Sequence, residues 1–111
     1  MDVNFRTAKL EKIFSTRKSL IQVYGKPRAK KIMIRIAVLQ AASCLAEVPS
    51  LPPERCHELS GEKKGEFAVD LDPSWRLVFC PAHEPVPRKE DGGIDLKKVT
   101  AITIISVEDY H

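Results

Sequence analysis

Arg76 is the one charged side chain in a run that otherwise reads Trp75, Leu77, Val78 and Phe79. Taking an unpaired guanidinium out of water is costly, so this side chain must meet a carboxylate or open onto a cleft. Its rigid fork suits two-pronged binding of a phosphate. The structural alternative is a salt bridge to Asp70 or Asp72 on the neighbouring strand. His57, followed by Glu58, and the terminal group Glu108, Asp109, Tyr110 and His111 bring imidazole, phenol and carboxylate together with it. Histidine can transfer protons near neutral pH, and tyrosine can donate to a departing oxygen. The plainer alternatives are a structural histidine and a frayed polar tail. Lys63 and Lys64 sit side by side on a turn, and Lys26, Arg28, Lys30, Lys31 and Arg35 crowd into residues 26–35. Local positive patches attract phosphate even where the total charge is small, although the 26–35 run also reads as the solvated face of a helix.

Other chemistries fit less well. Lysine and arginine number 18 against 15 acidic residues, a formal +3, so any nucleic-acid partner must be held by local patches. Cys56, His57, Cys80 and His83 are zinc-ligand types, but Cys56 and His57 are neighbours on an expected strand and point to opposite faces. No metal or other cofactor is expected. Neither a glycine-rich phosphate loop nor a Gly-x-Ser-x-Gly nucleophile motif is present. The 3 cysteines have no framework spacing, which suits a reducing compartment. With no apolar leader region and no apolar stretch of membrane-spanning length, the expected location is the cytoplasm.

The elements that must position these residues follow from periodicity. At 111 residues, 43% of them hydrophobic, the chain is expected to form a single domain over 1–111. Val3 and Phe5 mark a brief strand. Leu10, Ile13, Phe14, Leu20, Ile21 and Tyr24 then recur at helical spacing, with Thr7 as N-cap and Gly25 as terminator. Lys26 and Pro27 open a second helix, whose buried face is expected at Ile32, Ile36, Leu39 and Ala46, so that a helical hairpin spans 7–47. Beyond the prolines at 49–53 the period becomes two. Strands are expected at 56–59, 67–71 and 75–80, with Phe67, Val69 and Leu71 on one face and Trp75, Leu77 and Phe79 likewise, opposite Arg76. Residues 81–98 read as a long exposed loop. A last strand at 99–107, apolar on both faces, should be central and covered on both sides. The expected class is α+β, a helical hairpin packed on a twisted antiparallel sheet.

Four segments carry a resemblance: Arg55-Cys56-His57-Glu58-Leu59-Ser60-Gly61, Phe67-Ala68-Val69-Asp70, Trp75-Arg76-Leu77-Val78-Phe79 and Glu108-Asp109-Tyr110-His111. In this order they resemble the HigB-like plasmid-maintenance killer proteins, a branch of the RelE/ParE toxin superfamily. The resemblance implies a RelE-like fold and a metal-independent endoribonuclease that cuts mRNA in the ribosomal A site and is neutralised by a helix-turn-helix, HigA-like antitoxin. It implies that His57, Arg76, Asp109, Tyr110 and His111 are catalytic, with Arg76 on the phosphate, His111 and Tyr110 moving protons and Asp109 orienting a histidine. Lys63, Lys64, Lys26, Arg28, Lys30 and Lys31 are candidate RNA contacts. Ser60 stands where many relatives have lysine. Two alternatives remain: a ParE-like toxin that inhibits DNA gyrase by binding, and a degenerate toxin kept as an antitoxin partner.

Overall fold

The structure, a computed structural model, describes residues 1–110. The change of period near Thr7 separates strand β1 (Asp2–Phe5) from helices α1 (Ala8–Phe14), α2 (Arg17–Tyr24) and α3 (Lys26–Ala41). What the spacing suggested as one helix before Gly25 is therefore two. Thr7 caps α1 by accepting from the Leu10 N–H, and Thr16 starts a new helix by accepting from the Ser19 N–H. Hydroxyls that bond nearby backbone offer an alternative to helix continuation, and Ser15 and Thr16 both take it. At Gly25 the backbone turns with φ +84°, a conformation glycine adopts without steric cost, and Pro27 lies in the first turn of α3.

The third helix ends at Ala41 and does not reach Glu47. The Glu47 carboxylate accepts from the Ser43 N–H at 2.7 Å, and the Leu45 N–H donates to the Val99 carbonyl at 2.9 Å. These bonds tie the segment to the sheet, and Ala46 is exposed where the helical period had it buried.

The remaining strands are β2 (His57–Glu58), β3 (Phe67–Asp72), β4 (Trp75–Pro81) and β5 (Ala101–Asp109), and the sheet order is β1-β5-β4-β3-β2. From β2 to β5 the pairing is an antiparallel meander. β1 adds a parallel edge beside β5, so the sheet is mixed; the helices form the crossover that parallel pairing needs.

The α+β arrangement is as expected, with every helix on one face. Phe67, Val69, Leu71, Leu77, Phe79, Ile102 and Ile104 point toward Leu20, Ala29, Ile32 and Leu39 and form the core. The other face holds only a small apolar strip, Leu59, Ala68 and Val78. β5 is thus central in the sheet but covered on one side: Ile102 and Ile104 are buried, whereas Thr103 and Ile105 are partly exposed. Its β-branched composition reflects strand propensity as well as burial. The 81–98 segment is more ordered than a plain loop, because Arg88 bridges Ile94 and the Ile94 side chain is buried. Among the described residues no helix is long and apolar enough to cross a membrane.

One buried charge ties the layers together. Arg35, 4% exposed, donates from Nε to the Asp70 carbonyl at 2.7 Å, and its guanidinium lies 4.0 Å from the Glu54 carboxylate. Removing one partner from such a pair leaves the other buried and uncompensated. Arg35→Ala should therefore lower the unfolding free energy by about 3 kcal/mol, measured by urea denaturation. A loss within experimental error would show that the contact carries no stability.

Candidate active site

Alternation along the strands sends one set of side chains to the open face of the sheet. Arg76 on β4 is directly opposite Asp70 on β3 and Glu108 on β5, and His57 on β2 is opposite Ala68. All of these point away from the helices. Cys56, one residue before His57, packs against the core, where burial pushes its thiol up to about 11.

The centre of this face is the Glu108 carboxylate. Its Oε1 accepts from Lys63 Nζ at 2.7 Å and from an Arg76 Nη2 at 3.4 Å, and its Oε2 accepts from the Ser106 hydroxyl at 2.6 Å. Burial raises the Glu108 pKa, but the bonds from Lys63, Ser106 and Arg76 outweigh it, and the net result is a lowered value. The Tyr110 ring covers Arg76, with the guanidinium carbon 5.0 Å from the ring centroid. Tyr110 is itself anchored, its N–H donating to the Ser74 carbonyl at 2.9 Å and its hydroxyl to the Pro73 carbonyl at 3.3 Å. The last strand thus stays paired through Asp109, where the sequence suggested a tail leaving the sheet. Among the described residues Arg76 Nε is buried without a hydrogen-bond partner, so they leave part of this guanidinium's donor capacity unused.

The expected ion pair of Arg76 with Asp70 or Asp72 is not formed. Arg55 holds the Asp70 carboxylate through two bonds, at 2.7 and 3.0 Å. Arg28 lies 3.3 Å from the Asp72 carboxylate through Nε, off the line of a hydrogen bond, while stacking on Trp75 at 4.0 Å. Glu108 takes the place of both as the partner of Arg76.

Of the sequence-derived candidates, Arg76, Tyr110 and Lys63 come together on one face. His57 joins them across two strands, roughly 12 Å away by strand spacing and rise. It also borders a groove of about 690 Å³ at the sheet edge, with Glu58, Phe67, Lys89 and Ile94 among its walls. Asp109 pairs opposite Trp75 and so alternates to the other side from Glu108. His111 lies outside the described residues. Lys26, Lys30 and Lys31 are exposed on α3, in the layer across the sheet from Arg76, and Lys64 is exposed on its turn. The basic 26–35 run thus divides into two structural arginines, Arg28 and Arg35, and three solvated lysines. Ser60 supplies no cation, but the 3-10 turn Gly61–Lys63 delivers the Lys63 ammonium to the position beside Arg76.

Sequence reasoning assigned no role to Arg55 or Ser106, took Asp70 only as a possible partner of Arg76, and counted Glu108 only within the terminal group. The signal available for Glu108 was its register opposite Arg76, which needs the strand pairing to be known.

No family model and no curated protein matches the sequence. Solved structures do match the fold. The YoeB-YefM complex from Staphylococcus aureus aligns with a TM-score of 0.55 and 14% identity, covering 100% of this chain and 97% of that one. A YoeB/ParE toxin from Agrobacterium tumefaciens aligns with a TM-score of 0.53 and 13% identity, over 100% of both chains. The chain therefore has the RelE-like fold of the YoeB/ParE toxins.

Glu108 makes a pH test of the cluster. Because its folded pKa is lowered, its contribution to stability is present above the ordinary carboxylate range and is lost as pH falls through the folded value. Melting temperature should fall as pH drops through and below the ordinary carboxylate range, and Glu108→Gln should flatten part of that slope. Equal slopes for the two proteins would show that the carboxylate is not held by Lys63 and Arg76 in solution.

Proposed function

We propose that this chain is the toxin of a type II toxin–antitoxin pair, a metal-independent endoribonuclease that cuts mRNA in the ribosomal A site. The observation that supports it best is the convergence of Lys63 and Arg76 on a single anionic oxygen, with the Tyr110 phenol against the same guanidinium. Two cations directed at one oxygen suit a phosphate, and a phenol beside them can give a proton to a leaving group. The toxin-type fold and the ordered motifs around His57, Arg76 and Tyr110 point the same way.

In this reading the scissile phosphate enters where Glu108 Oε1 now lies. The ribose 2′-oxygen attacks the adjacent phosphorus while its proton passes to His57. The bond to the 5′-oxygen breaks, that oxygen takes a proton from the Tyr110–His111 end, and a 2′,3′-cyclic phosphate remains. Arg76 and Lys63 carry the charge that builds on the phosphoryl oxygens. Asp109 orients His111. Lys64 meets the RNA backbone at the rim. The partner is a helix-turn-helix antitoxin of the HigA type, as the HigB-like motifs suggest, and the likeness in fold to a protein solved as a YoeB-YefM complex supports a protein partner.

Primer extension on mRNA from purified translating ribosomes tests the proposal. Wild type should leave A-site cuts, and Arg76→Ala should cut on the order of 1,000-fold more slowly while remaining folded. Growth arrest without cuts would favour the gyrase-type binding toxin, and neither arrest nor cuts would favour a degenerate toxin.

A further inference from the structure

Arg55 adopts φ +46°, a left-handed conformation that costs a long L side chain energy and persists only when the surroundings impose it. They do so here. Its N–H donates to the Leu51 carbonyl at 3.0 Å, and its guanidinium grips Asp70 with two bonds. Its own carbonyl oxygen lies 2.8 Å from His57 Nδ1. A carbonyl only accepts, so Nδ1 carries the hydrogen, and a neutral ring then leaves the Nε2 lone pair free.

The hydrogen bond to Asp70 raises the Arg55 pKa. One residue thus meets Asp70 through its side chain and the imidazole through its main chain.

We propose that Arg55 is a positioning residue for His57: its guanidinium, gripping Asp70, holds the left-handed backbone whose carbonyl fixes His57 as the Nδ1–H tautomer with Nε2 open. The catalytic consequence rests on the nuclease reading, whereas this contact is measurable without substrate.

Two substitutions separate the backbone from the side chain. Arg55→Gly keeps a left-handed backbone and removes the guanidinium, while Arg55→Val removes both, because a β-branched residue resists positive φ. Imidazole ¹⁵N shifts should show His57 as the Nδ1–H tautomer in wild type and Arg55→Gly, and a mixture in Arg55→Val. In ribosome-dependent cleavage, kcat should fall about tenfold in Arg55→Gly and about 100-fold in Arg55→Val, with KM little changed and partial recovery in Arg55→Lys. An Nε2–H tautomer in the wild-type protein would overturn the proposal, and so would a tautomer unchanged in a folded Arg55→Val. A rise in KM at constant kcat would overturn the positioning role and make Arg55 a substrate cation. If Arg55→Val does not fold, the wild-type tautomer and the kcat of Arg55→Gly still decide. If the wild-type protein cuts no RNA, the nuclease reading fails, and the NMR measurements still report whether Arg55 holds His57.

Discussion

Asp70 joins the two faces of the sheet with every hydrogen-bonding group it has. Its N–H donates to the Glu54 carbonyl, its carbonyl accepts from the buried Arg35, and its carboxylate accepts both bonds from Arg55. The helix layer, the chain entering β2 and the open face are anchored at this one residue. A buried guanidinium needs such partners, because its desolvation is repaid only when its donors are satisfied. Arg55 then holds its strained backbone against the same carboxylate, and His57 hangs from the Arg55 carbonyl. The residue opposite Asp70 on β4 is Arg76, so the structural anchor and the phosphate-binding candidate share a register position.

The division between faces has a second consequence. The helix side is apolar and closed, whereas the open side carries its charges in a shallow layer of side chains over Ala68 and Val78. Lys63 and Arg76 would repel each other if left alone. Glu108 lies between them and keeps both side chains oriented before any substrate arrives. Preorganised cations lose little freedom when the ligand binds, which favours fast chemistry over mere affinity. In the proposed reaction the same carboxylate yields its place to the incoming phosphate.

The fold alone does not specify this chemistry, since one architecture can host cutting and non-cutting proteins. At 14% and 13% identity the solved structures share the chain's path and little of its surface. The weight of the functional reading therefore falls on side chains: Arg76 with an unused donor, Lys63 reaching in from a turn in place of a missing lysine at position 60, and Tyr110 anchored by Ser74 and Pro73.

Local spacing was enough to read the α+β class, the helical caps at Thr7 and Gly25, the facing of β3 and β4, and the singularity of Arg76, because each depends on residues a few positions apart. The break at Thr16 and the end of α3 at Ala41 depended on hydroxyl and carboxylate bonds that compete with the helix, which periodicity does not report. What only the tertiary structure decided was which distant segments lie side by side. The parallel pairing of β1 with β5, Glu108 opposite Arg76, Lys63 against Glu108, and Arg55 against Asp70 all depend on strand register. Register is set by the packing of one whole face against the helices, and no short stretch of sequence contains it.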